Sequence, residues 1–212
     1  MIILRDQEPF PPIHKTHESG LLAVGGSLTQ QRLWEAYNSG IFPWYEEGDP
    51  VLWWSPDPRM VLFPQDLKVS KSMKQLFRKE AFKVTYNQNF EEVMRNCAKM
   101  SREGQDGTWI TDEMILAYVK LHQLGRAVSV EVWQQDDLVG GLYGIYLKEK
   151  HVFCGESMFA KVSNASKYGF ITLVQKLEKE DVELIDCQLH TEHLASLGAR
   201  EMSRDNFLSY LD

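Results

Sequence analysis

Three polar residues stand near the ends of two apolar runs. Glu156 lies inside HVFCGESMF (151–159), and Asp186 and Gln188 close VELIDCQ (182–188). A carboxylate is costly to bury unless a cation or hydrogen-bond donors meet it. Strict strand alternation puts Cys154, Glu156 and Met158 on one face of the first run, with Phe153, Gly155 and Ser157 on the other. It likewise puts Asp186 and Gln188 together, opposite Ile185 and Cys187. All three polar groups fall at the carboxyl ends of their strands, where ligand crevices form in sheets with parallel neighbours. Two carboxylates and an amide converging there could hold and orient the polar groups of a ligand. The alternative is that each is satisfied by nearby backbone.

The elements that must position them are legible in the pattern. The first 58 residues are rich in turn-formers (PFPP, VGGS, SGIFPW, EEGDP, SPDP) and predict mostly loop. They also carry a short WW strand and one helix from about Thr29 to Ser39, capped by Ser27 or Thr29 and stopped at Gly40. Asp57-Pro58 marks a boundary, giving a small N-terminal domain (1–58) that is not very stable alone and a larger one (59–212). In the second, MVLF and FKVTYN read as strands, and SKSMKQLFRKE and FEEVMRNCAKM as helices. Thr111 caps DEMILAYVKLHQLG. AVSVEVW, LVGGLYGIYL and HVFCGESM follow with connections short enough for hairpins, a three-stranded meander. A helix near 165–178, capped by Ser163 or Asn164, crosses over to VELIDCQ, so the last two strands run parallel. AREM and a Ser203-capped helix close the chain. The class is α+β with a mixed sheet.

Composition narrows the rest. The chain has 212 residues, three cysteines far apart and a net charge of −7. That cysteine usage suits a reduced cytosolic protein and disfavours a disulfide framework or Cys-rich zinc site. The start, MIILRDQEPFPPIHK, does not read as a signal peptide, and no 18-residue apolar window exists. The charge is unevenly spread: residues 1–58 hold eight acids and three bases, whereas KVSKSMKQLFRKEAFK (68–83) holds six bases and one acid. Lys68, Lys71, Lys74, Arg78, Lys79 and Lys83 are either a solvated helix face or a phosphate-backbone footprint. His190-Thr191-Glu192 lacks the P-C-x-x-C of zinc deaminases, and His190 with His193 lacks a third ligand, so no metal is expected. VGGS and LVGGLYG match neither phosphate-binding glycine pattern; the second instead admits a close backbone or ligand approach. Trp44 and Trp109, in loops, are either lids on the core or a stack for a nucleobase.

Taken together, GLLAVGGSL (20–28), AYNSGIFPWY (36–45), WWSPDPRMVL (53–62), GTWIT (107–111), LVGGLYG (138–144), FCGESMF (153–159), NASK (164–167), LIDCQ (184–188) and HLASLGA (193–199) resemble the leucyl/phenylalanyl-tRNA–protein transferase family nearly end to end. The resemblance implies a monomeric cytoplasmic enzyme, free of the membrane and needing no cofactor. It would move Leu or Phe, less well Met, from aminoacyl-tRNA to proteins beginning with Arg or Lys, giving them a destabilising N-terminus. The fold implied is a small N-terminal lobe plus an acetyltransferase-like (GNAT-like) domain, which the meander, crossover helix and next strand fit independently. Where acetyltransferases carry a glycine loop for coenzyme pyrophosphate, this chain reads FAKVSNASK, which argues against acetyl-CoA. By the same resemblance Asp186 is the proton acceptor at the acceptor amine, Gln188 orients that amine and Glu156 balances substrate charge. Leu142, Phe153, Met158, Phe170, Leu173 and Ile185 would surround a side chain unbranched at Cβ. Trp44 and Trp109 would hold the terminal adenosine, and the six bases of 68–83 the tRNA phosphates. Val128 stands where the family usually has histidine.

Overall fold

A computed structural model describes residues 2–100 and 108–212; Gly107 of GTWIT lies outside them. The N-terminal part holds four short strands rather than one: β1 (Ile3–Leu4), β2 (Leu21–Gly25), β3 (Phe42–Pro43) and β4 (Leu52–Trp54), in the order β1-β2-β4-β3. Strands of two to five residues among Gly and Pro show no alternation, so only the WW pair announced itself. Helix α1 (Gln30–Asn38) is capped by the Thr29 hydroxyl, which accepts from the Arg32 amide. It ends at Gly40, whose φ of +71° is the left-handed conformation a non-glycine residue resists.

The rest builds a seven-stranded sheet. In chain order its strands are β5 (Arg59–Leu62), β6 (Lys83–Tyr86), β7 (Ala127–Gln134), β8 (Asp137–Leu147), β9 (Val152–Ala160), β10 (Leu184–Gln188) and β11 (Arg200–Met202). They lie in the order β11-β5-β10-β9-β8-β7-β6, and only the β9–β10 pair is parallel. The helices are α2 (Lys71–Arg78), α3 (Phe90–Lys99), α4 (Asp112–Gln123), α5 (Ala165–Glu178), α6 (Glu192–Ser196) and α7 (Arg204–Leu208). Ser70, Thr111, Thr191 and Ser203 cap α2, α4, α6 and α7 through side-chain oxygens, each worth about 1 kcal/mol. Asn164 occupies the cap position of α5 but makes no cap bond.

The two faces of the large sheet bury different cores. Helix α5 covers one with Phe170, Leu173, Val174 and Leu177, against Phe153 and Ile185. Helices α3 and α4 cover the other with Val93, Met94, Met114 and Tyr118, and this cluster continues into Leu33, Tyr37 and Trp53 of the N-terminal part. Glycines of β8 let α5 sit close: a Cβ on Gly140 would come within 2.7 Å of the Ala165 Cβ. The meander with its crossover helix is the order expected of an acetyltransferase-like sheet. Among the described residues, no helix is long and apolar enough to cross a membrane.

Candidate active site

Both central strands break their regular pattern where the polar residues stand. On β9, Gly155 pairs with Gly144 and Ser157 with Tyr143, so Glu156 is an extra, unpaired residue in a bulge. The bulge reverses the alternation. Phe153 and Met158 both pack toward the α5 core, and Cys154 and Phe159 toward the other. The expected common face for Cys154, Glu156 and Met158 is therefore corrected. On β10 the register against β5 slips between Asp186 and Gln188, and Gln188 has φ +63°. Parallel pairing between the strands stops at Asp186 and Cys154. Beyond it the strands part, and a cavity of about 540 Å³ opens.

Glu156 and Gln188 line that cavity and meet across it: the Gln188 Nε2 donates to Glu156 Oε1 at 2.9 Å. The Tyr118 hydroxyl donates to Glu156 Oε2 at 3.2 Å. Behind it, the hydroxyls of Tyr37 and Tyr118 hydrogen-bond each other. Among the described residues, these neutral donors rather than a cation in direct contact are what meet Glu156. Burial raises its carboxyl from the ordinary 4.5 to about 7, although the hydroxyls of Tyr37 and Tyr118 pull it back down. Both tyrosines are pushed well above their ordinary value by burial first and Glu156 next, so near neutrality they remain protonated donors.

Asp186 is placed differently from the expectation. It is fully buried and does not line the cavity. Arg59 Nε donates to its Oδ1 at 2.8 Å and Arg59 Nη2 to its Oδ2 at 2.7 Å. The Gln188 backbone N–H also donates to Oδ1, at 2.9 Å. Arg59, itself buried, lies between the rings of Phe42 and Phe207 and donates to the Gly40 carbonyl at 3.2 Å. Asp186 thus balances a buried guanidinium and fixes the left-handed turn that aims Gln188 at Glu156. Left-handed backbone at a non-glycine costs about 1–3 kcal/mol and persists only where surroundings over-determine it. Arg59 and Tyr37 carried no sequence signal beyond their motif blocks and Tyr118 none beyond its helix, because their roles depend on partners 127, 119 and 38 positions away.

Four of the six apolar residues expected around the aminoacyl side chain line the cavity: Leu142, Met158, Phe170 and Ile185. Phe153 and Leu173 do not. They are 0% and 2% exposed and pack inside the α5 core. Phe42, Pro43, Leu189, Leu194 and His193 complete the wall and were not anticipated. Burial, then Lys167, lowers the His193 imidazole below its ordinary value. Trp44 and Trp109 both stand on the cavity wall, Trp44 tilted against Trp54 with ring centroids 5.7 Å apart. The six bases of 68–83 are all exposed, and α2 turns Met73, Leu76 and Phe77 inward instead.

A family model described as leucyl/phenylalanyl-tRNA protein transferase matches residues 61–212, and one for that protein's N-terminal domain matches residues 26–57. The chain belongs to this family. It is similar to the leucyl/phenylalanyl-tRNA–protein transferase of Christiangramia forsetii, at 63% identity over all of both chains. The enzyme so named in Flavobacterium johnsoniae is 60% identical over 95% of this chain and 94% of its own, and that of Pseudomonas fluorescens 54% over 98% and 91%. Among solved structures, a GCN5-related N-acetyltransferase from Kribbella flavida has TM-score 0.39 and 9% identity, over 80% of this chain and 60% of its own. That likeness is too weak to add to the topology itself.

Proposed function

We infer that the chain carries out the family's reaction: it moves Leu or Phe, and less well Met, from aminoacyl-tRNA to the N-terminal Arg or Lys of a protein. On this reading the enzyme is monomeric and cytoplasmic and works as two domains, 1–58 and 59–212. The observation that carries it is one cavity whose lining combines the Glu156–Gln188 carboxylate–amide pair, apolar side chains and two tryptophans. The aminoacyl ester arrives activated, so the protein need only align two substrates and manage protons. An acceptor α-amine, with an ordinary pKa of ~7.7–8.0, enters as its ammonium ion. We assign its proton to Glu156 rather than Asp186, since Glu156 faces the cavity and titrates near neutrality. The freed lone pair attacks the ester carbonyl, the bond to the ribose oxygen breaks, and that oxygen takes the second amine proton. One proton remains on Glu156 and returns to solvent.

Gln188 orients the amine, and Asp186 acts one step back by holding Gln188. The cavity's apolar wall suits a side chain unbranched at Cβ, with Met158 adapting to Leu, Phe or Met. The tryptophans supply faces for the terminal adenosine, and the exposed bases of α2 a track for phosphates. The test is direct. Radiolabelled Leu-tRNA is mixed with a peptide beginning with Arg. Label on that peptide, and none on one beginning with Asp, supports the reading; binding of Leu-tRNA without transfer refutes it.

A further inference from the structure

The N-terminal part does not merely cap the cavity; it reaches the reacting groups. Tyr37 comes from α1 and Tyr118 from α4, and their side chains meet ring edge to face, with centroids 6.4 Å apart and planes at 80°. Tyr118 is set in the same way against Tyr143 of β8, at 5.8 Å and 87°. Its rotamer is thus held from two sides, and its hydroxyl has one oxygen to accept from Tyr37 and one hydrogen to give. That hydrogen goes to Glu156 Oε2, while Gln188 holds Oε1. The result is a pair of joined hydroxyls set against the proposed proton acceptor: Tyr118 donates to Glu156, and Tyr37 of the small lobe bonds Tyr118 and itself acts on the Glu156 carboxyl.

We propose that Tyr118, oriented by Tyr37, is a positioning residue that keeps Glu156 competent to accept the proton of the incoming amine. This rests on the assignment of Glu156 as proton acceptor. A hydroxyl that donates to a carboxylate favours the charged form, the form that can take a proton. Tyr37 of α1 also acts on the Glu156 carboxyl directly, and the other described groups facing it are few. Gln188 of β10 donates an amide hydrogen. Asp186 of β10 opposes its ionisation from a distance and Arg59 of β5 favours it, and these two are paired with each other. Removing the tyrosine hydroxyl therefore leaves Glu156 harder to ionise, and among the described residues no cation is in contact to compensate.

The experiment is the pH profile of transfer from Phe-tRNA to an Arg-initiated peptide, at saturating substrates, for the parent, Tyr118→Phe, Tyr37→Phe and Glu156→Gln. In Tyr118→Phe the acid limb moves upward by about one pH unit, so the rate near pH 6.5 falls about tenfold and recovers at pH 8.5. Tyr37→Phe, which removes a hydroxyl that acts on Glu156 both directly and through Tyr118, moves the limb the same way by a similar amount. KM for the peptide changes little in both, whereas a structural role alone would lower the rate equally at every pH. Thermal melts accompany each variant, and if Tyr118→Phe does not fold, Tyr37→Phe carries the test. A parent-like limb in the folded tyrosine variants overturns the inference. If Glu156→Gln also retains parent rate and limb, the assignment beneath it fails as well, so the two failures are distinguishable.

Discussion

Glu156 should make the protein less stable at the pH where it works. Its carboxyl titrates near 7 when folded and near its ordinary 4.5 when unfolded, because the fold buries it, with two tyrosines and an amide as its described contacts. Between those values the folded chain binds more protons than the unfolded one. Stability contributed at this site is therefore highest below pH 4.5, falls as pH rises, and levels off above about 7.5. At about 1.4 kcal/mol per pH unit, the interval amounts to about 3 kcal/mol. Glu156→Gln keeps the shape and an oxygen for Gln188 but removes the titration. Urea unfolding of both proteins from pH 4.5 to 8.5 should show the variant gaining up to about 3 kcal/mol at pH 8, a melting temperature about 6–12 °C higher, and no gain at pH 4.5. Groups that titrate equally in both cancel in the difference. A gain independent of pH, or a loss at pH 8, would refute the claim that the fold holds this carboxylate against ionisation.

Asp186→Asn leaves the Arg59 guanidinium buried without its counter-ion, so it should cost about 3–5 kcal/mol in urea unfolding, whereas Arg59→Met with Asp186→Leu costs less. An Asp186→Asn variant as stable as the parent yet inactive would restore Asp186 to a direct catalytic role. Lys71→Ala with Lys74→Ala should flatten the slope of log K against log salt for tRNA binding by about 0.7–0.9 per lost phosphate contact, read by filter binding at several salt concentrations. Trp44→Ala should raise KM for aminoacyl-tRNA about 5- to 150-fold, the range for one lost base stack, with little change in KM for the acceptor peptide.

Much of the framework was legible because its signals are local. Thr29, Thr111 and Ser203 announced helix starts, and the alternation of AVSVEVW its strand. The spacing of β9, α5 and β10 implied a parallel pair, which is what brings Glu156 and Gln188 together. What escaped depends on departures from regularity. The extra residue at Glu156 reverses the pleat, so alternation misjudged which face Met158 takes, and the expected pocket included Phe153, which does not touch the cavity. Asp186 read as a free acid because its cation, Arg59, lies in another motif block and reaches it only when β5 pairs with β10. The short strands before residue 55 offered too few positions for a period of two to appear.

The most direct measurement is the single-turnover rate of transfer from Phe-tRNA to an Arg-initiated peptide, followed from pH 5.5 to 9 in the parent and in Glu156→Gln. The parent rate should climb through about pH 7, while the variant should be slower by about 10²- to 10⁴-fold, the usual contribution of a positioned base. What rise the variant retains should move toward the amine's own ~7.7–8.0. A variant that transfers at the parent rate, along the parent profile, would contradict Glu156 as the group that receives the proton.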